Sequence, residues 1–108
     1  MDDQNYEIAF NVILNAGDAR DKFMSANKKA REGAYDEASQ LIEEGNASLL
    51  KAHKVQSELM QKEAQGEHTD MGILFTHAQD HLTMAILTRD LVEEMIEMMK
   101  QLRKEKEA

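Results

Sequence analysis

The sequence contains no cysteine, no proline and no tryptophan, and only five of its 108 residues are glycine. Without cysteine there is neither a disulfide framework nor a thiolate nucleophile, so a disulfide-rich secreted protein and cysteine chemistry are both excluded. Without proline, and with few glycines, little in the chain would interrupt a helix. We therefore expect a cytoplasmic protein made of long helices, without strands.

Long apolar runs are also missing. No segment approaches the roughly 20 consecutive apolar residues that a membrane-spanning helix requires, and the first five residues are acidic and polar, unlike a signal peptide. The formal net charge is -8 at pH 7, which disfavours nucleic acid as a partner because phosphate backbones attract basic surfaces. The sequence predicts neither a membrane span nor a nucleic-acid interface.

The residues that are abundant, among them Ala, Glu, Lys, Leu, Met and Gln, are strong helix formers. Hydrophobic periodicity and capping signals predict three helices, over about 3–31, 36–63 and 70–104, with Gly33 ending the first and Asp2 or Asp3 and Thr69 or Asp70 as caps. Short connections make neighbouring helices antiparallel. We predict an all-α, up-down-up three-helix bundle that forms one domain, residues 1–108.

An apolar stripe is predicted along the third helix. It contains Ile73, Leu74, His77, Asp80, His81, Met84, Thr88, Leu91, Met95, Met99 and Leu102. Because an ionisable side chain is costly to bury unless it is paired or bound, the interruption at His77, Asp80 and His81 indicates a functional site. Periodicity leaves open whether this stripe faces its own bundle, a neighbouring subunit or both.

These three side chains suit covalent transfer of a small anionic group. A neutral imidazole is a nucleophile near neutral pH, and His77 has a second imidazole four residues on and a carboxylate three residues on. A phosphoryl group on an imidazole is labile enough to be passed onward. Counting along the antiparallel helices places Gln56, and with it His53, near the level of His77, where the buried amide of Gln56 would donate to the imidazole or to a phosphoryl oxygen.

Four segments resemble one protein family in the same order along the chain. They are His77-Ala78-Gln79-Asp80-His81-Leu82, Asn15-Ala16-Gly17-Asp18-Ala19-Arg20, Ala52-His53 with Gln56, and Glu63-Ala64 followed by Gly66. The first resembles the phosphorylation motif of the enzyme IIA component of the lactose/cellobiose (chitobiose) class of the bacterial sugar phosphotransferase system. The sequence departs from the family at Thr83-Met84, where members commonly carry Met then Thr.

This resemblance implies a homotrimeric phosphocarrier. It would accept a phosphoryl group from the carrier protein HPr on His77 and donate it to a cysteine of a cognate enzyme IIB, which feeds sugar uptake through the membrane enzyme IIC. It also implies that Asp80 of three chains binds one Mg²⁺ or another divalent cation on the three-fold axis. His81 would hydrogen-bond the phosphoryl group or lie in the subunit interface, and no organic cofactor is expected.

Two other functions stay open at this level. One is a non-catalytic, metal-dependent helical interaction module, and the other is a histidine phosphotransfer domain of two-component signalling. The latter exposes its histidine, whereas the predicted stripe would place His77 with the core. A metallohydrolase is disfavoured because the HxxDH spacing lacks the glutamate base of HExxH. Lactose, cellobiose, chitobiose and related β-glucosides all stay possible as the sugar, because the membrane component would recognise it.

Overall fold

The computed structural model describes residues 3–67 and 72–107. In these ranges the chain forms α1 (Asp3–Arg31), α2 (Tyr35–Ala64) and α3 (Gly72–Glu107), without any strand. The predicted all-α fold is confirmed, and each predicted helix end that falls within these ranges lies within a few residues of the observed one. Asp2, His68, Thr69 and Asp70, predicted as caps or as part of a loop, lie outside the described residues.

The turn between α1 and α2 is built around Gly33. Its φ of 82° lies in the left-handed region, which glycine adopts without a steric penalty. The Gly33 N–H donates to the carbonyl of Ala30 at 2.9 Å, as expected for the end of a helix. The Arg103 guanidinium of α3 lies against this glycine and over the Tyr35 ring, 5.6 Å from its centroid. The C-terminal end of α3 therefore meets the α1–α2 turn, which makes α3 parallel to α1.

Helix α1 is the central element of the bundle. It packs along both α2 and α3, whereas α2 and α3 meet through only a few residues. Its buried residues are mostly small: Ala9, Val12, Ala16, Ala19, Phe23, Ala26 and Ala30. Alanines let the backbones of neighbouring helices come close, so most of the core lies between α1 and its two partners.

Gly45 of α2 lies directly against the ring of Phe23 of α1. A Cβ added to Gly45 would lie 2.6 Å from Cε1 of Phe23, closer than real side chains come. From the sequence, the small residues Ala16, Gly17 and Ala19 of α1 are also expected to let a neighbouring helix come close. That expectation is wrong for Gly17, because a Cβ there would meet nothing within 4 Å.

Helix α3 has two apolar faces. The face packed on α1 carries Ala78, Leu82, Ala85 and Val92, and the opposite face exposes Ile73, Met84, Leu87, Leu91, Met95, Met98 and Leu102. Most of the predicted stripe belongs to the exposed face, so it points away from its own bundle. Hydrophobic periodicity shows that a helix has an apolar face, but it does not show which of two such faces is buried. In α3 the face with the smaller residues fits against α1.

Across the described ranges, none of the three helices has the length and hydropathy needed to cross a bilayer.

Candidate functional site

The predicted nucleophile, His77, lies in the second turn of α3 and is exposed. It lines a shallow, open depression of about 470 Å³ together with Gly72, Ile73, Thr76 and Asp80. The prediction that His77 lies on a buried face is therefore wrong for the single chain. A signalling phosphotransfer domain also presents an exposed histidine, so the exposure of His77 does not distinguish such a domain from a phosphocarrier.

The two histidines of the motif are in direct contact. Nε2 of His77 lies 3.2 Å from Nε2 of His81, and the rings meet edge to face with centroids 4.6 Å apart and planes at 82°. The spacing of four residues places both side chains on one side of the helix. His81 is half-buried, so its ring has less freedom than that of His77. One ring nitrogen of the pair donates a hydrogen bond to the other.

Gln56 of α2 is a buried polar side chain, with an exposed fraction of 2%. Its Nε2 donates to Oε1 of Gln79 on α3, so this amide is directed at the residue two positions after His77 and not at the imidazole itself. The contact ties α2 to α3 beneath the motif. The sequence pattern assigns no role to Gln79, although a buried amide needs a partner and α3 supplies one at this level.

Asp80 is exposed and lines the same depression as His77. Within residues 3–67 and 72–107, no group of three or more His, Cys, Asp or Glu side chains is arranged to hold a metal ion. Mg²⁺ takes six oxygen ligands, several of them commonly water. Asp80 supplies at most two of these oxygens.

His53, a weaker candidate, is exposed on α2 and lines a different depression of about 410 Å³ with Asn46, Leu49, Leu50, Ile86 and Arg89. The structure therefore separates His53 from the depression that holds His77. The remaining histidine, His68, lies outside the described residues.

The family-like segment of α1 packs against α2. Ala16 and Ala19 are fully buried, and the Ser48 hydroxyl donates to Oδ2 of Asp18 at 2.6 Å. Arg20 at the end of the segment is exposed. This segment therefore contributes mainly to the packing of the bundle.

Comparison with known proteins assigns this arrangement to a family. The family described as "PTS system, Lactose/Cellobiose specific IIA subunit" matches residues 7–100. The PTS system lactose-specific EIIA component of Staphylococcus epidermidis is 40% identical over 93 residues, which cover 86% of this chain and 89% of that protein. The chain belongs to the lactose/cellobiose-specific IIA family of the phosphotransferase system.

Solved structures agree with this assignment. The crystal structure of the PTS cellobiose-specific enzyme IIA from Bacillus anthracis matches with a TM-score of 0.91 and 38% identity, covering 96% of this chain and 95% of that one. The IIA(Chitobiose)–HPr complex of Escherichia coli matches with a TM-score of 0.81 and 30% identity, covering 92% and 96%. The resemblance seen in the sequence is confirmed. These relatives are named for lactose, cellobiose and chitobiose, so they do not single out one sugar.

Proposed function

We propose that this chain is a phosphocarrier that accepts a phosphoryl group from phospho-HPr on His77 and donates it to a cysteine of a cognate enzyme IIB. The observation that carries the proposal is the exposed imidazole of His77, placed at an open depression within the family's motif. Two large proteins must reach this nitrogen in turn, which requires an accessible side chain. A solved neighbour is a complex of IIA(Chitobiose) with HPr, which supports HPr as the donor.

The transfer needs no redox partner and no organic cofactor. The lone pair of an unprotonated nitrogen of His77 attacks phosphorus, and the N–P bond to the histidine of HPr breaks as its electron pair returns to that ring. In the second step the thiolate of enzyme IIB attacks the same phosphorus and the imidazole of His77 leaves. Phosphoryl transfer of this kind depends mainly on positioning and charge stabilisation. Enzyme IIB in turn feeds sugar uptake through the membrane enzyme IIC. We place the carrier itself in the cytoplasm.

His81 is proposed to support the transferred group. Its Nε2 lies 3.2 Å from Nε2 of His77, so an N–H on that nitrogen is close enough to donate to a phosphoryl oxygen. Gln56 acts further away, by holding Gln79 and the first turns of α3 against α2. Neither side chain forms a bond to phosphorus.

The exposed face of α3 is proposed to form a homotrimer interface. Its large apolar residues and the site residues repeat every seven positions, in one row of Ile73, Asp80 and Leu87 and a second row of His77, Met84, Leu91 and Met98. A seven-residue repeat is typical of helices that pack side by side. Three α3 helices around a three-fold axis would cover the apolar residues of these rows and bring three Asp80 carboxylates together, which a Mg²⁺ or another divalent cation would bridge.

The phosphocarrier is tested by intact-mass analysis after incubation with phosphoenolpyruvate, enzyme I and HPr. We expect one acid-labile phosphoryl adduct on the wild-type chain and on the control His53→Gln, and none on His77→Gln. Absence of an adduct on the wild-type chain while HPr itself is phosphorylated would overturn the proposal in favour of the interaction module.

The shared cation is tested with Asp80→Leu, measuring metal content and molecular mass in solution. Loss of the carboxylate should remove the bound cation and change the assembly, whereas Asp21→Asn, at an exposed position of α1, should leave both as they are. If Asp80→Leu keeps the metal content and mass of the wild-type chain, the axial site is wrong.

A further inference from the structure

The two histidines of the site have the nitrogen spacing of a metal chelate. A tetrahedral Zn²⁺ with Zn–N bonds of about 2.0–2.1 Å holds its ligand nitrogens about 3.3 Å apart. The Nε2 atoms of His77 and His81 are 3.2 Å apart, and the rings meet at 82° with neither stacked on the other. Two histidines four residues apart on one helix face are also the spacing with which helices bind Zn²⁺.

The surroundings favour a cation at this place. His77 is exposed at an open depression that also contains the carboxylate of Asp80, and the chain carries a formal net charge of -8. His81 is half-buried, so one of the two ligands has less freedom to lose when a metal binds. Two protein ligands leave the other coordination positions to water, whereas closed structural sites use four protein ligands.

We propose that the Nε2 atoms of His77 and His81 chelate a divalent transition-metal cation such as Zn²⁺ or Ni²⁺, and that this cation reversibly blocks His77 as a phosphoryl acceptor. The site differs from the one proposed at Asp80 in its ligands. Imidazole nitrogens favour Zn²⁺, Ni²⁺ and Cu²⁺, whereas carboxylates and water favour Mg²⁺. The two sites therefore select different ions.

The block follows from the number of lone pairs on a neutral imidazole. When a metal takes the lone pair on Nε2 of His77, the ring proton lies on Nδ1, so neither nitrogen has a free pair with which to attack phosphorus. Phosphorylation of His77 likewise occupies a ring nitrogen that would otherwise be available to bind the metal. This consequence rests on the proposed phosphocarrier function, whereas the metal site itself does not.

Metal binding is tested first, without any phosphoryl donor, by titrating the full chain with ZnCl₂ in a calorimeter and by following the histidine ring nitrogens in ¹H–¹⁵N spectra. We expect saturable binding that shifts the Nε2 resonances of His77 and His81, and no such shift with MgCl₂. The variant His81→Gln should weaken Zn²⁺ binding by about tenfold or more, because loss of a residue that only hydrogen-bonds a metal ligand already costs about 10–100-fold. The control His53→Gln and the variant Asp80→Asn should keep most of the affinity. Unchanged affinity in His81→Gln, or its loss in Asp80→Asn alone, would overturn the site.

The block is tested by mixing purified phospho-HPr with the chain, with and without ZnCl₂, and measuring the phosphoryl adduct. Zn²⁺ should suppress the adduct and EDTA should restore it, and the suppression should be weaker in His81→Gln, measured against the zinc-free rate of that variant. An adduct that forms at full rate on the zinc-loaded chain would overturn the block. If no adduct forms even without metal, the phosphocarrier proposal fails while the binding result still decides the metal site.

Discussion

The two faces of α3 differ in the size of their residues and in what covers them. The face toward α1 carries Ala78, Leu82, Ala85 and Val92, each almost fully buried. The opposite face carries larger apolar residues that stay about half exposed, among them Leu87 at 56% and Leu91 at 49%. A protein core needs close fit, whereas a surface used for association can present large side chains.

The site lies on the less covered of these faces. His77 and Asp80 lie on the outer side of α3 with Met84 and Leu87, and all four are exposed. Of the three site residues, His81 is the one that is half-buried. Residues of the inner face therefore set the stability of the protomer, and residues of the outer face set its chemistry and its proposed assembly. Substitutions that affect one role and leave the other intact test this division.

The largest effect is expected from a charge on the outer face. Leu87→Asp places a carboxylate where the proposed trimer would bury an apolar side chain, so we expect the trimer to dissociate into protomers that keep their helix content. Sedimentation and circular dichroism measure the two quantities. Ser57→Asp, at an exposed position of α2, is the matched control and should keep the wild-type mass. A trimer that survives Leu87→Asp would show that α3 associates through another surface.

On the inner face we expect a loss of protomer stability. Leu82 is 3% exposed, and Leu82→Ala should lower the free energy of unfolding by about 2–5 kcal/mol through lost burial and a new cavity. Leu91→Ala, on the outer face, should change it by about 0.5 kcal/mol or less. Urea unfolding of both variants in the Leu87→Asp background removes any contribution from assembly. Equal effects of the two substitutions would contradict the division between faces.

A smaller effect is expected at the two glycines inside helices. Gly45→Ala should destabilise the protomer by about 1–3 kcal/mol, because its new methyl group would overlap the buried ring of Phe23. Gly17→Ala adds a methyl group to open space and should stabilise α1 by about 0.5–1 kcal/mol. Thermal unfolding of the pair gives the sign of each change. If both substitutions changed the stability in the same direction, that result would contradict the close contact at Gly45.

The smallest effect is expected at the exposed ion pair beside the α1–α2 turn. Nζ of Lys29 lies 3.1 Å from Oε2 of Glu37, and this hydrogen bond and the negative charges of Glu37 and Glu32 raise the pKa of Lys29 above 10.5. Because the folded-state pKa exceeds the unfolded one, the stabilisation is fully present below pH 10.5 and is lost as the pH rises through the raised value. Lys29→Met should therefore lower Tm slightly at pH 7, with Lys28→Met as the control. A decrease in Tm as large as that caused by Gly45→Ala would show that the ion pair contributes more to stability than its exposure indicates.

Much of the fold could be predicted because helix formation is local. The predicted range of α1 equals the observed one, and Gly33 ends that helix as its position suggests. The site residues could also be chosen from the sequence, because the HxxDH spacing and the matched segments need no tertiary information. Their roles in transfer and metal binding stay predictions.

The contacts around those residues could not be predicted in the same way. Gln56 is buried as expected, yet its amide donates to Gln79, because the axial offset between α2 and α3 decides which side chains meet. The same offset places His53 beside Arg89 and away from His77. A small offset between helices is enough to exchange such partners, and counting residues from a turn does not fix it.

The sequence by itself determined three helices, their approximate ends, the family, and the grouping of His77, Asp80 and His81 on one side of α3. These follow from propensities and from the 3.6-residue period, which act over a few residues. Only the tertiary structure decided that this side faces outward, that Gly45 and not Gly17 meets a neighbouring helix, and that the two histidine rings touch. Those outcomes depend on how the side-chain surfaces of separate helices fit together, and that fit is a property of the packed bundle.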